Sequence, residues 1–306
     1  MTSPRPQRLR VPASTSNIGP GFDAFSIALD IDLEVRWSPA PQSSLERSGA
    51  LAESTLRMGE DPIVRGMRRA ATLANAKLPS GKLEISAPFP PARGLGASGA
   101  GIVAGLMLGN RLTGGKLSDK ILLDEAIQLE GNPENAVGAK LAGAHWSLAD
   151  GNKGWLHLPV ALHRNLRFLL VIPPYPMHTK RSREALPTSV AITRAIRQAQ
   201  RPPILLEGLR SLKPEYIRLG IEDDLHVAPR LRLMAGARAM IDFAYEAGAL
   251  GATLSGAGSA LLVISRSGLV TNLDARLRSR VQRLWGNDGM VLTAKLSSRG
   301  AEFLRS

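Results

Sequence analysis

The 306-residue chain contains no cysteine, which excludes disulfides, thiolate metal sites and cysteine nucleophiles together. Aromatic residues are scarce at 4%, so a core must be built mainly from Ala, Val, Leu and Ile. No apolar run reaches the roughly 18 residues that a membrane-spanning helix needs. The first arginines are not followed by the apolar stretch of a signal peptide, so a cytoplasmic location away from membranes is expected. Any metal must be a hard cation on oxygen ligands or sit on the five histidines.

Positive charge, by contrast, is abundant: 39 Lys and Arg against 26 Asp and Glu give +13. These residues do not form one tract. They are spread as Arg5, Arg8 and Arg10, then Arg65, Arg68 and Arg69, then Arg181, Arg183, Arg194 and Arg197. Aromatic side chains rarely interleave with them, so a stacking platform for nucleic acid is unsupported. A solvated basic surface with no nucleic-acid partner is the expectation. Hydrophobic residues at 44% and charged residues at 21% are ordinary for a globular protein.

Strand and helix patterns alternate along the chain, which points to two α+β domains. Leu9–Pro12 reads as a short strand leading into a turn-rich stretch, Ala13–Asp23. Ile27–Trp37 alternates as a half-buried strand. Pro39–Ser54 reads as a polar connection, and Asp61-Pro62 as a capped helix start. Lys82–Ala87 is a strand, Ser98–Leu112 a helix rich in small residues, and Ser118 caps a third helix ending at Glu130-Gly131. Gly143–Gly154 reads as a loop, with a domain boundary near Trp155 that divides residues 1–155 from 156–306. Beyond it come a buried strand at Leu166–Ile172, helical segments from Pro187 to Leu219, and one long helix over Pro229–Ala247. Two strands, Ala249–Leu254 and Ala260–Ser265, are joined by Ser255-Gly256-Ala257-Gly258, and a last helix and strand finish near Leu296.

The strand at Lys82–Ala87 delivers the chain to Pro90-Pro91-Ala92-Arg93-Gly94-Leu95-Gly96-Ala97-Ser98-Gly99-Ala100. A strand, a glycine turn and a helix make an anion site, because glycines admit oxygens close to the backbone and the first helical amides are unpaired. No Gly-Lys-Ser/Thr closes the turn, so it is not a Walker A loop. Gly94-Leu95-Gly96-Ala97-Ser98-Gly99 has dinucleotide-fingerprint spacing but lacks the acidic residue about twenty positions on. Such a turn alone is as readily a tight strand-to-helix connection.

Its long form, Pro-x-x-x-Gly-Leu-Gly-x-Ser-x-Ala, resembles the phosphate motif of the GHMP kinases, departing from the usual Gly-Leu-Gly-Ser-Ser-Ala-Ala at Ala97 and Gly99. The resemblance implies that residues Pro90–Ala100 bind ATP and that Ser98 and Glu130 hold Mg²⁺, an ion suited to few carboxylates plus phosphate oxygens. A second block, Val11-Pro12-Ala13-Ser14-Thr15-Ser16-Asn17-Ile18-Gly19-Pro20-Gly21-Phe22-Asp23, is a turn whose Asn17 and Asp23 either reach a small polar ligand or bond their own backbone. It resembles the homoserine kinase form of this segment, which implies that Asn17 and Asp23 contact an amino-acid substrate.

Further blocks agree with that resemblance. Glu130-Gly131-Asn132-Pro133-Glu134-Asn135 looks like Glu-Gly-His-Pro-Asp-Asn, with Asn135 implied as a substrate contact and Asn132 in place of histidine. Thr179-Lys180-Arg181-Ser182-Arg183 and Asp224-Leu225-His226-Val227-Ala228-Pro229-Arg230, the latter shifted by one, carry Thr179, Arg183 and Arg230 as implied substrate contacts. Paired guanidiniums suit a carboxylate. Gly251–Ser259 is similar to the third family motif.

The implied fold is the two-domain α+β architecture of the GHMP kinases, a ribosomal S5 domain 2-like N-terminal domain and a ferredoxin-like C-terminal domain, often assembled as a homodimer. The implied reaction is ATP-dependent phosphorylation of L-homoserine to O-phospho-L-homoserine for threonine synthesis, with Asp23 the nearest candidate for removing the hydroxyl proton. Two alternatives stand beside it. Asn132 leaves room for a related kinase acting on another small hydroxy acid or alcohol, and Ala97 for a non-catalytic nucleotide-binding homologue.

Overall fold

The structure, a computed structural model, describes residues 5–151 and 154–305. Among these, seven strands form one sheet and four another. The first sheet is built on a long antiparallel pair, β1 (Gln7–Ser16) and β2 (Phe25–Pro39). β1 runs past the expected end at Pro12. Ala13, Ser14, Thr15 and Ser16 are fully buried and continue the pairing after a register shift between Pro12 and Ser14. Small polar residues in a buried strand carry no hydropathy signal, which is why this half of β1 reads as turn.

Two further strands were hidden for related reasons. β3 (Ser44–Gly49) lies within the expected polar connection and pairs in parallel with β4 (Gly81–Ala87); it is an edge strand, mostly exposed. β5 (Ala144–Ala149) occupies half of the expected loop at Gly143–Gly154 and pairs with both β2 and β6 (Trp155–Val160). Of that loop, Asn152 and Lys153 lie outside the described residues. The boundary expected near Trp155 falls at the first residue of β6, a strand of the first sheet. β11 (Glu302–Phe303) also returns to that sheet, beside β1.

Four helices flank the first sheet and carry much of the site: α2 (Ala97–Leu112) and α4 (Pro133–Lys140) pack on its strands, and α1 (Pro62–Leu73) and α3 (Asp119–Glu130) pack against α2. Asp61 caps α1 by accepting the Ile63 amide at 2.9 Å and also pairs with Arg47. Ser118 caps α3, and Gly131 ends it in the left-handed region.

The second sheet has the order β10-β7-β9-β8, antiparallel throughout, with β7 (Leu166–Ile172), β8 (Gly251–Leu254), β9 (Leu261–Arg266) and β10 (Met290–Ala294). This order, with helices between β7 and β8 that begin with α5 (Thr179–Glu184), α6 (Ile192–Ser211) and α7 (Pro214–Gly220), and with α10 (Val270–Trp285) between β9 and β10, is the ferredoxin-like arrangement. β7 buries both faces. Phe168, Leu170 and Ile172 join the core that also contains the first sheet, while Leu169 and Val171 pack with the helices of the far side. One apolar core therefore runs from the first sheet into the second. The helix expected over Pro229–Ala247 is two helices, α8 (Val227–Leu231) and α9 (Ala237–Glu246), divided at Gly236 with φ 78°. No described helix is long and apolar enough to cross a membrane.

Helices α1 and α2 meet backbone to backbone: a Cβ on Gly105 would lie 2.0 Å from the Ile63 carbonyl oxygen, and one on Gly66 2.5 Å from that of Ile102. Alanine is normally favoured over glycine inside a helix by about 1 kcal/mol. Here the clash should outweigh it, since overpacking costs about 1–3 kcal/mol. Gly105→Ala is expected to lower the urea midpoint at unchanged slope; an unchanged or higher midpoint would show that the two helices separate freely.

Candidate active site

The glycine turn is held in shape by its partners on the second sheet. Gly94 (φ 75°) and Gly96 (φ 69°) take left-handed conformations, and an added Cβ would lie 2.0 Å from the Ser255 carbonyl oxygen or 2.2 Å from Ser14 Oγ respectively. Ser255 Oγ donates to the Gly94 carbonyl at 2.6 Å, and the Ala260 amide donates to the Arg93 carbonyl at 2.9 Å. Thus the third glycine block, Gly251–Ser259, braces the first. Gly96 is the cap of α2 and offers no side chain, which leaves the first amides of that helix facing outward as anion donors.

A cavity of about 620 Å³ opens beside these amides, lined by Leu51, Phe89, Pro91, Ala92, Ala97, Ser98, Met177 and Thr179 among others. Its size and mixed lining fit a small-molecule ligand. Thr179 therefore lines the cavity of the glycine turn. Arg93 belongs to the turn by its backbone, but its guanidinium turns inward to the carbonyls of Pro91, Pro173 and Pro174. Ser98 Oγ donates to Glu130 Oε2 at 2.8 Å. Burial raises the Glu130 carboxyl above its ordinary range, against the Ser98 hydrogen bond and the charge of Arg65. A hydroxyl and a carboxylate side by side at an anion cradle are hard oxygen donors of the kind Mg²⁺ takes alongside phosphate oxygens.

The second half of the site surrounds Phe22. Asn17 (φ 57°) and Asp23 (φ 54°) both lie in the left-handed region, which Asn and Asp tolerate better than bulky residues. Asn17 Oδ1 accepts the Asp23 amide at 2.7 Å, so the loop closes on its own side chain. Arg183 donates to both carboxylate oxygens of Asp23, at 3.0 and 2.8 Å, and to Asn132 Oδ1 at 2.5 Å. The guanidiniums of Arg183 and Arg230 lie 5.6 and 4.9 Å from the Phe22 ring centroid. Asn135 Oδ1 accepts from Ser14 Oγ at 3.3 Å and Ser16 Oγ at 3.1 Å, beneath the glycine turn.

Arg230 is buried, and loss of solvent lowers its pKa to about 10, with nearby Arg183 adding to the effect; it stays charged at neutral pH. It donates to His226 Nδ1 at 3.1 Å, while His226 Nε2 lies 2.9 Å from the Gly19 carbonyl. Arginine has only donors, so Nδ1 must accept and Nε2 must carry the hydrogen that Gly19 receives. Burial lowers the His226 pKa, consistent with this neutral tautomer. His226 also stacks on Phe22, with centroids 4.8 Å apart.

Reading the block from Asp224 missed the aspartate that shapes it. Asp223 Oδ2 accepts the amides of Leu225, His226 and Val227, whereas Asp224 pairs with Arg197 and Arg201. A second missed residue is Glu134. Its side chain is 2% exposed, Asn17 Nδ2 approaches its Oε1 at 3.5 Å, and its Oε2 has no hydrogen-bond partner. Burial, with Asp23 and Glu130 nearby, pushes its pKa up to about 7 despite its backbone amide and Arg183. Its sequence signal was its place opposite the aspartate of Glu-Gly-His-Pro-Asp-Asn, in the first turn of a helix between Asn132 and Asn135.

Residues 63–142 match the model of the GHMP kinases N terminal domain, and residues 205–281 that of the GHMP kinases C terminal domain. The chain is 38% identical over 263 residues to a homoserine kinase of Thermus thermophilus, covering 85% of this chain and 87% of that one. It is 31% identical over 304 residues to a homoserine kinase of Prochlorococcus marinus, covering 97% and 95%. Among solved structures it resembles a homoserine kinase from Cytophaga hutchinsonii (TM-score 0.83, 21% identity, 99% of both chains) and an L. major mevalonate kinase (TM-score 0.67, 15% identity, 95% and 97%). At these identities the structural likenesses show the fold alone.

The bracing contact can be tested directly. Gly94→Ala would press a methyl group against the Ser255 carbonyl oxygen in a backbone region costly for alanine. It is expected to weaken binding of a fluorescent ATP analogue at least about tenfold, the equivalent of about 1.4 kcal/mol, with the circular dichroism spectrum preserved. Unaltered binding would separate the turn from the nucleotide.

Proposed function

We propose that this chain, which belongs to the GHMP kinases and within them to the homoserine kinases, transfers the γ-phosphoryl group of ATP to the side-chain hydroxyl of L-homoserine. The product is O-phospho-L-homoserine, a step toward threonine. The observation that carries this reading is the opposite-charge pair Asp23–Arg183, closed over Phe22 with buried Arg230 behind it. A free amino acid is a zwitterion. Its ammonium would take the place of Arg183 beside Asp23, and its carboxylate would take the place of Asp23 beside Arg183 and Arg230. Half-buried Asp23 and Arg183 each keep a partner throughout, and buried Arg230 gains one, which matters because unpaired charges are costly away from water. A sugar supplies neither charge, and a simple hydroxy acid supplies only one.

Phosphoryl transfer asks the protein mainly for alignment and charge neutralisation. The amides of the turn Pro90–Ala100 hold the phosphate oxygens, with ATP in the adjoining cavity beside Thr179. Ser98 and Glu130 hold Mg²⁺, which when bound neutralises phosphate charge. Asn17, Asp23, Asn135, Arg183 and Arg230 hold the amino acid with its hydroxyl toward the turn.

ADP release with homoserine, mevalonate, galactose and shikimate tests the reading: only homoserine should sustain turnover. Arg183→Ala should raise the KM for homoserine by roughly 10- to 150-fold, as the loss of a charged hydrogen bond of about 1.5–3 kcal/mol implies, while leaving the KM for ATP within about threefold. Equal turnover with mevalonate or galactose, or an unchanged homoserine KM in the variant, would defeat it.

A further inference from the structure

We propose that Glu134 is the residue that takes the proton from the acceptor hydroxyl. This rests on the homoserine kinase reading above and assigns a step that reading leaves open. Glu134 and Asn135 occupy the first turn of α4, and their side chains reach opposite halves of the site. Asn135 bonds to Ser14 and Ser16 under the glycine turn, and its Oδ1 lies 3.4 Å from the position of a Cβ on Gly96. Glu134 reaches Asn17, whose other amide atom holds Asp23. The carboxyl therefore stands between the phosphate cradle and the acceptor pocket, where the transferring hydroxyl must lie.

Its Oε2 is buried and accepts no hydrogen bond. A buried carboxylate oxygen without a donor costs stability, and the hydroxyl of a bound acceptor is a donor that would satisfy it. Asp23 is less suited to the task, because both of its oxygens take hydrogens from Arg183 and the ammonium of a bound amino acid would take that place. The groups whose charges act on Glu134 are Asp23 and Glu130, which disfavour its ionised form, and Arg183, which favours it. Arg230 lies near enough to feel its charge. The outcome, with burial as the main cause, is a carboxyl that titrates at about 7, the range in which a general base works best at neutral pH.

The step balances without any further reactant. The acceptor O–H bond breaks and its proton passes to Glu134 Oε2. The freed electron pair forms the O–P bond to the γ-phosphorus, and the P–O bond to the β-phosphate breaks, with ADP leaving with that pair. Glu134 returns the proton to solvent after the product departs.

Glu134→Gln keeps the shape and the hydrogen bond from Asn17 but cannot accept the proton. We expect kcat with homoserine to fall about 100-fold or more, with both KM values within about threefold. We also expect the decline of wild-type kcat/KM below pH 7 to vanish from the residual activity. A second readout is stability. The folded-state pKa is raised above the ordinary carboxylate value, so the charged group costs stability once the pH exceeds that value, and the cost is complete above the folded pKa. Glu134→Gln should therefore melt higher than wild type at pH 8, with the difference closing toward pH 4.5. A kcat within threefold of wild type, or a loss confined to the homoserine KM, overturns the proposal, as does a lower melting temperature at pH 8. A wild-type enzyme that releases no ADP with homoserine fails the function reading instead, so the two failures are distinguishable.

Discussion

No side chain fits between the backbone of residue 94 and the carbonyl oxygen of Ser255, and much of the site depends on that contact. The glycine turn leaves a strand of the first sheet, while Ser255 follows β8 of the second. Their hydrogen bonds, Ser255 Oγ to the Gly94 carbonyl and the Ala260 amide to the Arg93 carbonyl, join the two halves at the mouth of the cavity. The Gly256 amide extends the seam by donating to the Ser16 carbonyl, at the end of β1. Because Ser14 and Ser16 also bond to Asn135, the position of α4 is set by the same seam. Movement of one sheet against the other would shift the phosphate cradle and the acceptor pocket together.

The second constraint is electrostatic. Arg230, His226 and Glu134 are all buried within a few residues of one another's partners, a costly concentration of polar groups. Most of that cost is offset by hydrogen bonds with one consistent direction. Asp223 accepts three amides at the start of α8, Arg230 donates to His226, and His226 donates to Gly19. This chain fixes the loop that carries Phe22 and Asp23. Glu134 is the exception, since one of its oxygens is left without a partner. An uncompensated group within an otherwise satisfied network is where function tends to be found at the expense of stability.

Much of this was legible in the sequence where chemistry and periodicity coincide. The capped starts of α1 and α3, the strand leading to the glycine turn and the β8–β9 hairpin all combine a breaker or cap with a clear apolar pattern, and the structure has each of them. Hydropathy failed where burial did not follow it. β3 is an exposed edge strand, and the end of β1 buries Ser and Thr because they serve the site rather than the core. The break between α8 and α9 at Gly236 was obscured by Leu231 and Met234, which remain buried across it and keep the pattern of an uninterrupted helix. The residues that the motif blocks singled out, Asn17, Asp23, Asn135, Arg183 and Arg230, lie around one site in the structure. The blocks could not distinguish Asp223 from Asp224, or indicate that Arg93 points inward, because both depend on which carbonyls and amides lie nearby in three dimensions.

The two arginines show why proximity alone does not define a role. Arg183 is partly exposed and its charge is already met by Asp23, so exchanging that partner for a ligand carboxylate changes the net charge of the site little. Arg230 is buried among the carbonyls of Ser182 and Gly256, the ring of Phe22 and a neutral imidazole. Its positive charge has no direct carboxylate partner among the described residues. A ligand carboxylate arriving at Arg183 would therefore be held as much by the field of Arg230 as by direct contact. Burial makes that field stronger than an exposed guanidinium could supply, and His226 keeps it aimed at Phe22. Under the proposed function, selection for an acid-bearing acceptor would thus reside less in the residue that touches the solvent than in the buried charge behind it.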